Sequence, residues 1–116
     1  MTAAMNAEEV IWQYSQGERN FSCLNLQREH IIQGSLCEAN LSRTSLDWAN
    51  LSGTDLSHAN LSQADLIHAR LISAKMKEAD LTRADLSHAD LGWVNLQGAI
   101  LVGGESDGGN SQKCQS

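Results

Sequence analysis

The sequence predicts an all-β solenoid that begins with a short α-helical cap. Three observations lead to this prediction. An apolar residue recurs at every fifth position from Phe21 to Leu101, a small residue stands two positions before most of these, and proline is absent from all 116 residues. A backbone whose N–H groups pair with coils above and below has no place for proline, which lacks the N–H. The period of five therefore decides the fold class.

The five-residue period excludes both regular alternatives. In an α-helix five residues turn by about 500°, so residues five apart scatter around the axis. In an extended strand the faces alternate with a period of two, so an odd step sends successive leucines to opposite faces. A chain that bends once per repeat satisfies the pattern, because the apolar residue and the small residue two before it then always point inward.

The cap is predicted in residues 1–18, before the repeats begin. Asn6 followed three residues later by Glu9 is typical of a capping box. Apolar residues then follow at helical spacing: Ala7, Val10, Ile11 and Tyr14. We expect a helix of about ten residues ending near Gly17. It would cover the first coil, which otherwise exposes a sheet edge and an open core.

The repeats share a consensus. It is plainest in Ala39-Asn40-Leu41-Ser42, Ala59-Asn60-Leu61-Ser62, Ala79-Asp80-Leu81-Thr82 and Ala84-Asp85-Leu86-Ser87. This consensus resembles the pentapeptide-repeat family, A-(D/N)-L-(S/T)-x, and residues 17–22 resemble leader segments of its bacterial members. The resemblance implies a right-handed quadrilateral β-helix with about twenty residues per coil and coils about 4.8 Å apart. The seventeen repeats centred on residues 21 to 101 would then make about four coils, over residues 19–103.

A step of twenty residues predicts four inward ladders. They consist of Phe21, Leu41, Leu61, Leu81 and Leu101; Leu26, Leu46, Leu66 and Leu86; Ile31, Leu51, Leu71 and Leu91; and Leu36, Leu56, Met76 and Leu96. The first coil departs from the pattern, because Arg19, Leu24, Glu29 and Gly34 replace the small inward residue. Glu29 cannot be buried without a partner. We expect it near the helix or the mouth of the coil, with Arg19 or Arg28 as a possible partner.

The C-terminal end is predicted to lack a cap. Residues 104–116 are polar, rich in glycine and aperiodic, which is typical of a disordered tail. An apolar end around Leu101 and Val102 would then favour pairing with a second copy; the alternative is that the tail folds back over this end.

Charge and composition exclude several classes of function. The formal net charge is −6, but the repeats are nearly balanced and carry no basic stripe, so direct binding of nucleic acid is not expected. No signal peptide or membrane-spanning apolar run is recognised, and we expect a cytoplasmic chain without a membrane partner. Cys23, Cys37 and Cys114 have no metal-ligand spacing and are expected to be free thiols.

Two outward columns contain residues capable of chemistry. Glu38, His58 and Glu78 would stack at one corner, where the carboxylates favour protonated His58. Trp48, His68 and His88 would stack at another, where two imidazoles one strand apart could share a transition metal. The alternative for both is a set of exposed polar side chains that align by register. Asp65 above Asp85 is a similar case, with a bound cation as the less favoured interpretation.

No catalytic, cofactor-binding or metal-binding residue is assigned, because neither a phosphate loop nor a nucleophile motif is present and a solid core offers no shielded cleft. The prediction is a non-enzymatic scaffold that binds an unidentified protein partner through a face or an open end. Outward apolar residues would contribute if they cluster: Ile32, Ile67, Ile72 and Trp93. The alternatives are a DNA mimic that binds DNA gyrase, which some members of the resembled family are, and weak metal or small-ligand binding at the histidine columns. Arg43, Arg70, Lys75, Lys77 and Arg83 interrupt the acidic surface that a DNA mimic needs.

Overall fold

Each repeat makes one turn in the structure, a computed structural model that describes residues 3–103. The residue two after each central apolar residue has a positive φ, between 58° and 74°, in fourteen non-glycine residues and in Gly53, Gly98 and Gly103. The next N–H commonly donates back to the carbonyl of the central residue, as from Ala39 to Leu36 at 3.0 Å. A positive φ at the third position is the geometry of a type II turn. The predicted bend in each repeat is confirmed.

Successive coils pair as parallel strands with a step of twenty residues. Bridges join Asn20 to Asn40, Asn40 to Asn60, and so on to Asp80 and Ile100. In one such step the Leu41 N–H donates to the Asn60 carbonyl at 2.7 Å, and the Asn60 N–H donates to the Ala39 carbonyl at 2.9 Å. Four repeats therefore make one coil. We name the four faces of the coil after the central residues of the first coil: the Phe21, Leu26, Ile31 and Leu36 faces.

Polar residues before the central positions stabilise the turns. All eleven Asn and Asp residues at this position accept the N–H of the residue two further on through a side-chain oxygen, as Asn60 does from Ser62 at 2.9 Å. Ser or Thr at the accepting site often adds its hydroxyl, as Ser62 does to Asn60 at 2.7 Å. These are Asx turns. Structure, not function, explains this part of the consensus.

The core is formed by the four predicted ladders. Central residues from Phe21 to Leu81 are buried, and the alanines beside them from Ala39 to Ala84 are buried with them. Thr44 and Thr54 are also buried, and their hydroxyls donate to the carbonyls of Leu41 and Ile31. Burial weakens in the last coil, where Leu86, Leu91 and Leu96 are half-buried. The ladders thus stay closed over three coils and open towards the C-terminal end.

The N-terminal cap consists of strand β1 (Ala3–Ala4) and helix α1 (Ala7–Ser15), and the first coil contains strand β2 (Leu24–Asn25). Asn6 caps α1 by accepting the Glu9 N–H at 2.8 Å, while the Glu9 carboxylate accepts from Gln13. Val10 is fully buried under the helix. Strand β1, which the sequence did not predict, pairs in parallel with β2 at the edge of the first coil. This helix does not cross a membrane, being too short and too polar.

Glu29 lies beside the helix, as predicted, but its partner differs. Its carboxylate accepts the N–H of Ala7 at 2.8 Å, which satisfies an N–H at the first turn of α1. Arg19 instead stacks on the Tyr14 ring, 3.7 Å from its centroid, and Arg28 lies over Trp48. The N–H at the start of the helix is therefore the partner of Glu29, a role that sequence reasoning gave to an arginine.

The cysteines divide into two classes. Cys37 is a free thiol, as predicted, and burial raises its pKa, with the nearby Asp55 and Glu38 carboxylates adding to the shift. Cys23 is disulfide-bonded, so the expectation of a free thiol at this position is wrong. Cys23 and Cys37 are fourteen residues apart, so the twenty-residue step does not stack them, and they are not bonded to each other. Cys114 and the predicted tail of residues 104–116 lie outside the described residues.

Candidate functional site

The most ordered surface feature is a column of stacked planar side chains at the corner after the Leu26 face. The Trp48 and His68 rings are 4.2 Å apart between centroids with an angle of 14°, and the His68 and His88 rings are 4.8 Å apart with an angle of 11°. The Arg28 guanidinium covers the other side of Trp48 at 5.5 Å. The predicted alignment of Trp48, His68 and His88 is confirmed, and it extends by one residue.

This stacking argues against a shared metal ion. The lone pairs of an imidazole lie in the plane of its ring, so two rings stacked face to face direct their nitrogens in parallel and not towards a common point. Within residues 3–103 no group of three or more His, Cys, Asp or Glu side chains is arranged to hold a metal. The column therefore resembles a continuous aromatic surface more than a chelating site.

The column Glu38, His58 and Glu78 is only partly an ion-pair network. His58 Nδ1 lies 3.4 Å from Glu78 Oε1, with both side chains about half exposed. Among the described residues Glu38 forms no ion pair with His58. An exposed pair of this kind contributes ~0 to 1 kcal/mol to stability.

Charged side chains on the Leu36 face affect one another across coils. The backbone of Asp55 forms a parallel β-bridge with that of Lys75 in the next coil. The pKa of Asp55 is lowered mainly by hydrogen bonds from the Ser57 N–H and hydroxyl, and further by the positive charges of Lys75 and His58. On the Leu26 face Asp65 lies opposite Asp85, and each carboxylate already accepts the N–H of its own turn. These acids are accounted for by the turns.

The C-terminal end exposes apolar surface. Leu101 is 52% exposed, Val102 68% and Ile100 46%. The N–H groups of Leu91 and Leu96, which would donate to a further coil, have no acceptor within residues 3–103. Exposed apolar side chains beside an unpaired edge mark a surface suited to pairing. The described part of the chain therefore ends in exposed apolar side chains, and the expectation that no cap follows them stays a prediction.

A second apolar surface lies at the N-terminal end, where α1 runs beside the Ile31 face. A groove there is lined by Ile11 and Trp12 of the helix and by His30, Ile32 and Gly34 of the first coil. Sequence reasoning named Ile32 but missed the groove, because Trp12 was not among the apolar residues assigned to the cap. Trp12 is 60% exposed on the outer side of the helix, whereas Ile11, 37% exposed, lies against Gly34 of the coil and also lines the groove. Trp93 is 90% exposed and lies on the last coil, three coils from Ile32.

Comparisons with known proteins agree with this geometry. The family model "Pentapeptide repeats" matches in eight copies, over residues 35–66 and 64–103. The unmatched residues before 35 include the first coil, where charged and larger residues replace the small inward residue. A search of curated proteins gives no match.

Solved structures give the same result. HetL, a pentapeptide-repeat protein involved in heterocyst differentiation regulation from the cyanobacterium Nostoc sp. strain PCC 7120, is 38% identical over 85% of this chain and 46% of HetL, with a TM-score of 0.73. Rfr23 from the cyanobacterium Cyanothece 51142 is 28% identical over 68% of this chain and 60% of its own, with a TM-score of 0.52.

A more distant structure shares the fold alone. QnrB1, a plasmid-mediated fluoroquinolone resistance protein, is 19% identical over 72% of this chain and 54% of its own, with a TM-score of 0.57. The chain spans about half the length of HetL and QnrB1. The repeat consensus, the family match over more than half of the sequence and the likeness to HetL together show that the chain belongs to the pentapeptide-repeat family.

Proposed function

We propose that this chain is a right-handed quadrilateral β-helix that works as a non-enzymatic scaffold and binds a protein partner through an open end or a face. The C-terminal end carries this proposal. Ile100, Leu101 and Val102 are exposed there, and the half-buried leucines of the last coil lie behind them. An apolar end whose backbone groups have no partner within residues 3–103 gains stability when both are covered, and a second copy of the same end is a partner of matching chemistry.

Solution sizing over a wide concentration range tests the proposal. We expect the full chain to form a dimer and Leu101→Glu to be monomeric, because a carboxylate at the centre of an apolar contact is desolvated without a partner. Gln97→Glu is the matched control, since it adds the same charge to the last coil at an exposed position. A monomer at every concentration would rule out pairing of two copies through this end.

Binding to DNA gyrase is the second candidate. Asp65 and Asp85 are paired across neighbouring coils by a backbone bridge, which puts two acidic residues in one column, and an acidic surface is the feature that a DNA mimic needs. Arg70 on the neighbouring Ile31 face and Lys75 on the opposite Leu36 face interrupt the acidic surface of the coil, and the likeness to QnrB1 concerns the fold alone. A gyrase supercoiling assay with added protein decides the matter: relief of quinolone inhibition would move this candidate to first place.

A further inference from the structure

The first coil has one edge that faces away from the second coil. The N-terminal segment bonds to part of this edge on three of the four faces. On the Phe21 face the Asn20 N–H donates to the Glu18 carboxylate at 3.4 Å. On the Leu26 face strand β1 pairs with β2, which contains Asn25. On the Leu36 face the Tyr14 hydroxyl donates to the carbonyl of Cys37 at 2.7 Å.

On the Ile31 face none of the edge groups that point away from the second coil has a partner within residues 3–103, whereas on each of the other three faces at least one such group has a partner. The Ile31 N–H donates to the Asn50 carbonyl, and the Asn50 N–H donates to the Glu29 carbonyl, each at 2.8 Å. These bonds use the side of the strand that faces the second coil. The N–H and carbonyl of His30 and the carbonyl of Ile32 point to the other side, where they have no partner within residues 3–103. Such groups are a template for another strand.

The apolar groove lies along this same edge. Ile11 and Trp12 form its outer wall and Ile32 lies on the strand side, all at least one-third exposed. Among the described residues that line the groove, Glu8 is the one Asp, Glu, Lys or Arg, and Glu9 and Glu18 add negative charge to this end of the molecule. The guanidinium of Arg19, in the first repeat, stacks on the Tyr14 ring and donates to the carbonyls of Tyr14 and Glu18. The groove is therefore apolar with an acidic end.

We propose that the Ile31 edge binds an extended segment of another protein as an added β-strand, with apolar side chains at alternate positions and a Lys or Arg facing Glu8. Main-chain hydrogen bonds to His30 and Ile32 would supply affinity, and the groove and Glu8 would supply specificity. Strand β1 shows that this end of the coil accepts a strand, since it pairs at the same register position on the neighbouring face. A helical partner would leave the edge groups unpaired, and an acidic one would meet Glu8. The inference rests on the proposed scaffold role but uses the opposite end of the coil.

Display of random eight-residue peptides on phage, selected against the full chain, tests this inference. We expect enriched peptides to alternate apolar residues and to contain Lys or Arg. Synthetic copies are then titrated against a Trp48→Phe, Trp93→Phe background, in which the emission of Trp12 alone reports on the groove. Binding at the Ile31 edge should shift that emission to shorter wavelength.

Two matched pairs of variants identify the mode of binding. His30→Pro removes an N–H that has no acceptor within residues 3–103. Ser35→Pro removes an N–H that likewise has none there, at the same register position on the Leu36 face. We expect the dissociation constant of the peptide to rise about tenfold for His30→Pro and to stay unchanged for Ser35→Pro. Glu8→Lys should weaken binding of a basic peptide about tenfold and Glu9→Lys much less, since both alter net charge equally and Glu9 lies outside the groove.

Three results would overturn the inference: no enriched peptide, equal binding by His30→Pro and Ser35→Pro, or enrichment of acidic peptides. Circular dichroism of each variant guards against a fold defect, and the glutamate pair gives the answer if His30→Pro unfolds. The Leu101→Glu chain keeps the Ile31 edge, so a peptide that binds it shows that the N-terminal site exists even if pairing at the C-terminal end fails. Self-association that persists in Leu101→Glu and is abolished by Trp12→Ala would instead assign the groove to a second copy.

Discussion

The hydroxyl of Tyr14 donates a 2.7 Å hydrogen bond to the carbonyl oxygen of Cys37, which joins the last turn of α1 to the first coil. The two residues are 23 apart in sequence, and the bond crosses from the helix to the edge of the Leu36 face. Together with the Glu29 carboxylate on the Ala7 N–H, it fastens the helix at both ends. The cap is therefore held by polar bonds around the buried side chain of Val10.

Tyr14→Phe should destabilise the protein by about 0.5 to 1.5 kcal/mol, because the ring remains packed while the Cys37 carbonyl loses its donor. Urea unfolding followed by circular dichroism measures the change. Ser15→Ala is the control, since the Ser15 hydroxyl bonds locally, to the Trp12 carbonyl and the Gln16 side chain, and not to the coil. An unchanged midpoint for Tyr14→Phe would mean that the bond is not formed in solution.

Leu66→Ala should cost about 2 to 5 kcal/mol, because Leu66 is fully buried and truncation leaves a cavity between packed coils. Leu101→Ala makes the same change at the same repeat position where the side chain is 52% exposed, and should cost far less. Urea unfolding of both variants measures the difference. Equal losses would contradict a core that is closed in the middle and open at the C-terminal end.

Ala64→Leu should also destabilise, by about 1 to 3 kcal/mol, because Ala64 is buried beside the ladder and a larger side chain has no free volume. Ala99→Leu tests the same register in the half-buried last coil, where the chain can yield more easily. The melting temperatures of the two variants give the comparison. A neutral Ala64→Leu would show that the inward register is wrong.

The sequence was sufficient for the repeating part of the fold because every repeat carries the same information. The inward pair, the turn after it and the twenty-residue step recur in every repeat. A departure from the consensus in one repeat therefore does not change the fold that the other repeats predict. The first coil has no such redundancy. There Glu29 and Arg19 found partners in α1, at Ala7 and Tyr14, that no periodicity could specify.

The candidate surfaces were harder to predict for a related reason. A column such as Trp48, His68 and His88 follows from register alone, but the orientation of its rings, which decides between chelation and stacking, does not. The groove at the Ile31 edge depends on how α1 rotates over the coil. That rotation is set by tertiary contacts of Val10 and Tyr14, which lie outside any local pattern.

Asn60→Ala should destabilise by about 1 kcal/mol, because the N–H and hydroxyl of Ser62 lose their acceptor. Ser45→Ala is the matched control: Ser45 occupies the same position before a central leucine, and its side chain makes no such bond in the described structure. Urea unfolding measures both. A larger loss at Ser45 would show that Asn and Asp are selected here for something other than the Asx turn.

Asp55→Asn should make the protein less sensitive to acid. Hydrogen bonds from Ser57 and the charges of Lys75 and His58 lower the pKa of Asp55 from its ordinary value of 3.8. The carboxylate therefore contributes stability that is present above that value and is lost as pH falls through the lower pKa of the folded state. The asparagine amide accepts the turn N–H as Asn60 does, so stability near pH 7 should change little. Urea unfolding from neutral pH down to about pH 2 measures the effect. Lys75→Gln should reduce in part the loss of unfolding free energy at acid pH. If the free energy of unfolding of Asp55→Asn falls with pH as it does in the unaltered chain, this carboxylate is excluded as a source of the pH dependence.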